Sequence, residues 1–389
     1  MFFLLAAVAS GAELSPDDAV RAALRVHPDL ARAEGDLLAA RGLARQSATL
    51  RFNPSVDAGY ALVGDRVEAS IAQPISLTGE GLAAGRSARA GVDAAEAARA
   101  RTRLEVAAEV RTAWADAVLA RERAQLAAEA HALAVRLREA AAARMEAGEA
   151  AALDVQLAHL EEAKAARDLL EARATEGAAV AALSVLVGTP AGDLQLSDDP
   201  LAAAPAPRAA AEERSDVRAA RAGVASARAA LARERAAVLP AVEVGAFYER
   251  DDAATEVGPT VGVEIPLWTR NPAGIGAAHG ELVAAEARLT AADRRAAAEA
   301  DTTRAVAEEA ARITGQLGED LPGDTRSALQ SIEAGFRAGE LDLLQTVLLR
   351  AEVIDGQGAW LDARAETARA HIRHLLAVED AALVPSEAP

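Results

Sequence analysis

The sequence predicts a mainly α-helical protein with a small β part, built from two tandem repeats. Ala, Leu, Arg and Glu dominate the 389 residues and only 3% are aromatic, which is typical of long helices packed on small side chains. Gly148 in "MEAGEAAALDVQLA" and Gly339 in "FRAGELDLLQTVLL" are 191 residues apart in matching surroundings. Each half also contains a stretch in which apolar and polar residues alternate. Each repeat is therefore predicted to run helix, β-hairpin, very long helix, Gly turn and returning helix.

These patterns divide the chain into five segments. They are residues 1–12 (a segment resembling a signal peptide), 13–197 (repeat 1), 198–213 (a Pro/Ala linker), 214–383 (repeat 2) and 384–389 (a disordered tail). The first segment is an apolar run followed by small residues at Ser10 and Ala12, although a basic start is missing, and a mature apolar tail is the alternative. No other run of about 20 apolar residues occurs, so a membrane-spanning helix is not expected.

The first helix of the chain carries start and stop signals. Ser15 is placed as an N-cap, Pro16 occupies the first helical position, and two Asp residues follow in the first turn. Pro28 then predicts a division into a short and a longer helix, because the residue before a proline disfavours helical backbone. Residues 214–240 are the counterpart in the second repeat.

Each repeat next contains a predicted β-hairpin, in which apolar side chains share one face. The strands are predicted at residues 55–63 and 66–73 in the first copy and at 242–248 and 257–265 in the second. Strands of about 8 to 10 residues can cross a bilayer when tilted, but a soluble sheet with one buried face shows the same alternation. Four strands cannot close a barrel, so they need partner chains or a covering helical layer.

Both hairpins lead into long helices through prolines. Pro74 in "QPISLTGEG" and Pro266 in "IPLWTRNPAG" are the predicted strand-to-helix transitions, because proline lacks the N–H that a ladder needs. Residues 80–145 then predict a helix about 100 Å long, which requires coiled-coil packing. The counterpart, 275–337, is interrupted at residues 314–324, and this interruption has no match in the first copy.

Composition excludes several classes of function. A net charge of −18 argues against nucleic-acid binding and suits a solvated surface. The absence of Cys excludes disulfides, zinc–thiolate sites and thiol nucleophiles, and no catalytic or cofactor motif is present, so neither an enzyme nor a cofactor is expected. His371 and His374 lie at i and i+3 as a metal-ligand pair, but a surface or packing role is favoured because no carboxylate has zinc-like spacing.

The order of elements, together with the proline motifs and the paired "AGEAAALDV" and "AGELDLLQT" turns, resembles the TolC-like outer-membrane efflux (OEP) family over nearly the whole chain. The resemblance implies a homotrimer in the outer membrane that forms a 12-stranded β-barrel, continuous with an α-helical tunnel extending into the periplasm. It implies a periplasmic adaptor (membrane-fusion) protein, an inner-membrane efflux pump and outer-membrane lipid as partners. "QPISLTG" and "IPLWTRN" are most similar to the heavy-metal cation (cobalt-zinc-cadmium type) branch.

The resemblance also implies roles for residues at the turns. The adaptor would contact Ala147, Gly148, Glu149, Ala338, Gly339 and Glu340. Asp154 stands where the family carries an aperture Asp, so that a trimer would carry a ring of three carboxylates. The aligned residue in the second copy is Gln345, and Asp342 is displaced by three residues. The alternatives are a plain structural turn and, for Asp154, a solvated helix residue.

The resemblance thus implies the outer-membrane channel of a tripartite efflux system of the resistance-nodulation-division (RND) type, a passive exit duct whose cargo includes metal cations as one option. The alternative is a periplasmic or soluble coiled-coil interaction protein without channel activity. A third option is a degenerate copy of the channel, suggested by the short strands and by the unmatched interruption of the second long helix.

Overall fold

The computed structural model describes residues 13–47, 53–61, 66–75, 79–197, 213–238, 241–250, 254–264, 270–318 and 321–385. Eight α-helices and four strands lie in these ranges. They are α1 (Pro16–Val26), α2 (Pro28–Ser47), β1 (Ser55–Ala61), β2 (Arg66–Ile75), α3 (Glu80–Glu146), α4 (Ala152–Val187), α5 (Ser215–Ala236), β3 (Ala241–Arg250), β4 (Thr255–Glu264), α6 (Pro272–Leu317), α7 (Leu321–Ala338) and α8 (Leu343–Ala377). Two short 3₁₀ turns, Ala191–Asp193 and Ala381–Leu383, follow α4 and α8.

The element order confirms the predicted fold class, since helix, hairpin, long helix, turn and returning helix occur twice. The predicted signal-like segment 1–12, nearly all of the linker and most of the tail lie outside the described residues, and the segment boundaries stay a prediction. The chain forms two compact units, and each unit contains segments of both repeats. The helical unit comprises the described parts of Met1–Pro28, Arg103–Ala211 and Ala298–Pro389, and the sheet unit comprises those of Asp29–Thr102 and Glu212–Ala297.

The first helix begins at the residues that its capping pattern predicts. The Ser15 hydroxyl accepts a hydrogen bond from the Asp18 backbone N–H at 3.2 Å, and Pro16 opens α1. The helix ends at Val26, and α2 begins at Pro28, as the proline predicted.

The predicted break in the second long helix is present. α6 ends at Leu317, and Gly318 has φ +84°, a left-handed conformation typical of a helix C-terminus. The indole N–H of Trp360 on α8 donates to the Gly318 carbonyl at 2.9 Å, which satisfies an acceptor that the end of α6 leaves unpaired. The first copy has one continuous 67-residue helix, α3, in the corresponding place.

In the sheet unit the four strands form one antiparallel sheet in the order β1-β2-β3-β4. The predicted end of the ladder at Pro74 is wrong by one residue, because β2 continues to Ile75 and Pro74 lies opposite Glu243 on β3. Pairing between β1 and β2 reaches only to Ala72 in the described residues, so β2 has an open edge at Pro74, where a residue without an N–H is tolerated. Pro266 lies outside the described residues.

The two faces of this sheet differ in polarity. Residues directly opposite each other share a face, which places the apolar side chains of all four strands together. This apolar face is exposed in the chain, with Val56 at 71%, Val257 at 73% and Val261 at 70% exposure. The other face carries Asp57, Glu68, Glu243, Glu249, Glu256 and Glu264. In the described residues the apolar face of the sheet is therefore exposed and not buried.

Among the described helices, none is both long enough and apolar enough to span a membrane.

Candidate functional site

The turn between α3 and α4 is a left-handed glycine reversal. Gly148 has φ +79°, and its N–H donates to the Met145 carbonyl at 3.0 Å. The Glu149 N–H donates to the Arg144 carbonyl at 2.8 Å. These two bonds form a Schellman motif, which pairs carbonyls that the end of α3 would otherwise leave free. No atom outside the turn lies within 4 Å of the position a Cβ on Gly148 would take, so the glycine is needed for its backbone conformation.

The turn between α7 and α8 repeats this geometry. Gly339 has φ +78°, and its N–H donates to the Phe336 carbonyl at 3.2 Å. The Glu340 N–H donates to the Gly335 carbonyl at 2.9 Å. The proposed adaptor-contact residues of both turns are exposed, namely Ala147, Gly148, Glu149, Ala338, Gly339 and Glu340. The duplicated motif in the sequence is therefore a duplicated backbone structure.

Asp154 caps the start of α4. The N-cap residue Ala151 has no side-chain acceptor, and the Asp154 carboxylate accepts a hydrogen bond from the Ala151 N–H at 3.0 Å. A carboxylate in the first helical turn also interacts favourably with the helix dipole. The candidate aperture residue thus has a structural role within one chain, and the aperture role stays a prediction.

The start of α8 carries the same cap with exchanged residues. The Asp342 side chain accepts from the Gln345 N–H at 2.7 Å, and the Gln345 side chain accepts from the Asp342 N–H at 3.2 Å. This reciprocal pair is a capping box. The 191-residue offset aligns Ala151 with Asp342 and Asp154 with Gln345, so each helix keeps one carboxylate in its cap, at a different position. The displaced Asp of the second copy is therefore explained by capping.

Arg144 connects the two turns, and sequence reasoning did not identify it. Its guanidinium donates to the Phe336 carbonyl at 3.3 Å and lies 5.3 Å from the centre of the Phe336 ring. A cation at the C-terminal end of α7 is also favoured by the helix dipole. The offset aligns Arg144 with Gly335, so only the first copy has a side chain there. The presence of an Arg in one copy where the other has Gly is the feature of the sequence that indicates a special role for Arg144.

Behind the turns, α3, α4, α7 and α8 share a hydrophobic cluster. Its buried members are Leu133, Leu137, Ala141, Ala158, Leu329, Phe336 and Leu343. Ion pairs flank it, with Arg136 of α3 bound to Glu333 of α7 at 3.0 Å and Arg138 of α3 bound to Glu162 of α4 at 2.5 Å. The cluster fixes the positions of both turns at one end of a four-helix arrangement.

A buried arginine, Arg350, contacts two other helices in this part of the bundle. Arg350 on α8 donates to the Ala130 carbonyl of α3 at 3.2 Å and lies 3.8 Å from Glu161 of α4. Burial lowers the pKa of the Arg350 guanidinium, while the carboxylates of Glu161 and Asp168 act in the opposite direction. Its side chain is only 8% exposed, so removing either partner would leave an uncompensated polar group.

The two histidines singled out in the sequence lie on α8, and His374 contacts α6. The His374 Nδ1 is 3.2 Å from the Thr303 hydroxyl. Burial lowers the pKa of His374, and the neighbouring His371 and Arg304 lower it further. In the described part of the chain, no group of three or more His, Cys, Asp or Glu side chains is arranged to hold a metal ion.

Comparison with known families gives a match in both repeats. Residues 19–189 and 206–378 match the family described as "Outer membrane efflux protein". This confirms the resemblance inferred from the turn and proline motifs. No curated protein sequence matches the chain.

Solved outer-membrane channels share the fold. The outer-membrane channel OprN is 20% identical over 95% of this chain and 90% of its own, with a TM-score of 0.75. The outer membrane protein VceC from Vibrio cholerae is 18% identical over 94% and 96%, with a TM-score of 0.76. CusC, studied for its folding and transmembrane channel formation, is 17% identical over 93% and 91%, with a TM-score of 0.77.

A glycine in a turn and a glycine within a helix provide a matched pair of substitutions. Gly148→Ala should destabilise the protein by about 1 to 2 kcal/mol, because a Cβ is strained at positive φ. Gly177→Ala, in the middle of α4 with open space at its Cβ position, should instead stabilise it by about 0.5 to 1 kcal/mol. Hydrogen exchange of the amides around each residue measures both effects. A Gly148→Ala variant with unchanged exchange would contradict the assigned turn.

Proposed function

Because the chain belongs to the outer membrane efflux protein family, we propose that it is the outer-membrane channel of a tripartite efflux system. Family membership makes it an outer-membrane efflux channel and confirms that it is not an enzyme. In the proposed system, an RND-type inner-membrane pump and a periplasmic adaptor deliver the substrate. The chain then supplies a passive exit duct for the substrate that the pump delivers.

The exposed apolar face of the sheet carries this proposal. Val56, Ile71, Val244 and Val257 contribute to one face that no helix of the described chain covers. Apolar patches of this kind on soluble proteins are rare, and lipid acyl chains are the partner that removes them from water. The face would contact the outer-membrane lipid.

The edges of the sheet favour a homotrimer. In the described residues β1 pairs only with β2, and β4 pairs only with β3. A strand edge in lipid must be paired, because its backbone N–H and C=O groups have no water to bind. Pairing β4 of one chain with β1 of the next satisfies both edges, and three chains would close a 12-stranded barrel.

The acidic face of the sheet favours a cationic cargo. Glu249 on β3 lies opposite Glu68 on β2 and Glu256 on β4, so three carboxylates form a row across the sheet. Arg66 lies 3.2 Å from Glu249 and 3.5 Å from Glu68, and it offsets part of their repulsion. In a barrel this face would line the channel and attract cations while repelling anions. Metal cations are one cargo of this charge.

The exposed turns are the proposed adaptor contacts. The double charge reversal Glu149→Lys with Glu340→Lys should abolish most export, because it changes the charge of both turns while leaving the Schellman hydrogen bonds of the backbone intact. Survival of cells on a pump substrate measures export. The control is Glu129→Lys with Glu352→Lys, which reverses exposed charges on α3 and α8 away from the turns. Equal export by both double variants would contradict adaptor docking at the turns.

The aperture role of Asp154 is tested separately from its capping role. Asp154→Asn removes the charge, but its amide oxygen can still accept from the Ala151 N–H, so the protein should fold, with a loss of at most about 1 kcal/mol from the weaker interaction with the helix dipole. If three carboxylates line the aperture, the variant should lose part of its cation selectivity in planar-bilayer recordings. Gln345→Glu should change selectivity in the opposite direction. An unchanged reversal potential in Asp154→Asn would leave the residue a helix cap alone.

A further inference from the structure

Phe247 on β3 is the one large apolar side chain on the acidic face of the sheet, within the described strands. Ser70 on β2 and Gly258 on β4 lie directly opposite it, and the next row of the same face contains Glu68 and Glu249. The other uncharged residues described on this face are small. A half-buried phenyl ring among carboxylates has no apolar cluster to join, so its role depends on what else it contacts.

The Phe247 ring extends over β4, where Gly258 leaves room for it. Its Cε1 lies 2.8 Å and its Cζ 3.2 Å from the position that a Cβ on Gly258 would take. A side chain there would displace the ring, as is common where a strand glycine allows a close approach. Gly262, on the same face of β4, differs, because its nearest such neighbour is at 3.5 Å. The glycine at position 258 therefore sets the position of the ring.

An open cavity of about 320 Å³ adjoins the ring. Two neighbouring rows of the acidic face line it, together with the residues between them: Asp57, Ser70 and Phe247, then Gly59, Glu68 and Glu249, then Ala58, Ala69 and Tyr248. All of these belong to β1, β2 and β3, so the ring separates the cavity from β4. The volume is at the lower end of the range of small-molecule sites, roughly 300 to 1,000 Å³.

The charges around the cavity suit a cation. Asp57, Glu68 and Glu249 line it, and Arg66 lies 3.5 Å from Glu68 and 3.2 Å from Glu249. One guanidinium against three carboxylates leaves an excess of negative charge. A hard metal cation uses oxygen ligands alone, whereas a phenyl ring favours a weakly hydrated organic cation. The combination of ring and carboxylates is therefore more typical of a site for an organic ammonium group.

We propose that this cavity binds the ammonium group of an organic cation, with the Phe247 ring as its cation–π partner and the carboxylates as its counter-charge. This rests on the proposed function, because the acidic face lines the channel only if the sheet becomes part of a barrel. Each chain of a trimer would then supply one cavity to the channel wall. Organic cations are thereby a class of cargo that contacts the wall in passing.

Binding of radiolabelled tetraethylammonium to the full-length chain in neutral detergent, measured by equilibrium dialysis, tests this site. The probe has no N–H, so hydrogen bonds to the carboxylates cannot replace the ring contact. Phe247→Leu keeps an apolar cover over Gly258 but removes the ring, and the Kd should rise about two- to fivefold, the strength of one exposed cation–π contact. Phe247→Tyr keeps the ring and should bind as the parent does. Tyr60→Leu, which removes a ring from the apolar face of β1, should leave the Kd unchanged.

A pair of glycine substitutions tests the geometry without removing the ring. Gly258→Ala places a methyl group where the ring lies and pushes the ring towards the cavity, so the Kd for tetraethylammonium should rise. Gly262→Ala is the matched control on the same face of the same strand, and its Kd should equal that of the parent. Equal Kd values for the two alanine variants would overturn the proposed site.

The K⁺ current of the parent in a planar bilayer distinguishes failure of the cavity from failure of the channel. If the parent conducts, but Phe247→Leu binds tetraethylammonium as tightly as the parent, or Tyr60→Leu weakens binding equally, the cavity is wrong and the channel stands. A parent that binds no tetraethylammonium overturns the cavity at any conductance. A parent that binds it through Phe247 but is a monomer and carries no current overturns the channel, and the cavity stands.

Discussion

An antiparallel sheet whose apolar face is exposed, and whose outer strands β1 and β4 each pair with one strand in the described residues, is the constraint on which the rest of the structure depends. Such a sheet is unfavourable in water, since apolar side chains and free backbone groups both remain at the surface. Lipid against the face and further strands at the edges remove both costs together. Several copies of the chain are then required, and the helices that continue from each strand are brought together with their neighbours.

The duplication keeps backbone geometry and allows side chains to differ. Both helix reversals use a left-handed glycine with the same pair of hydrogen bonds, because that geometry is set by the backbone. The caps that follow place their carboxylate at Asp154 in one copy and at Asp342 in the other. Arg144 has no counterpart side chain, and it joins the turns asymmetrically. One chain can therefore carry two similar turns whose surfaces differ.

Local signals made much of the fold predictable. The Ser15 cap, the break before Pro28, the glycine reversals and the interruption after Leu317 each depend on residues close in sequence, and each is present. Contacts between distant residues were not predictable in this way. The hydrogen bond from Arg144 to Phe336 spans 192 positions, and the extension of β2 through Pro74 depends on where β1 stops pairing. The capping role of Asp154 is also local, because its carboxylate accepts from the Ala151 N–H only three positions away.

Fractionation of the expressing cells followed by electrophoresis of unboiled samples tests the central claim, that the uncovered sheet is completed by lipid and by further copies of the chain. The account predicts that the protein is found in the outer-membrane fraction, that detergent is needed to release it, and that the unboiled protein migrates as a trimer that boiling converts to a single 40.0 kDa band. Release into buffer without detergent as a monomer or dimer would contradict it, because the apolar face and the strand edges would then have to be stable in water.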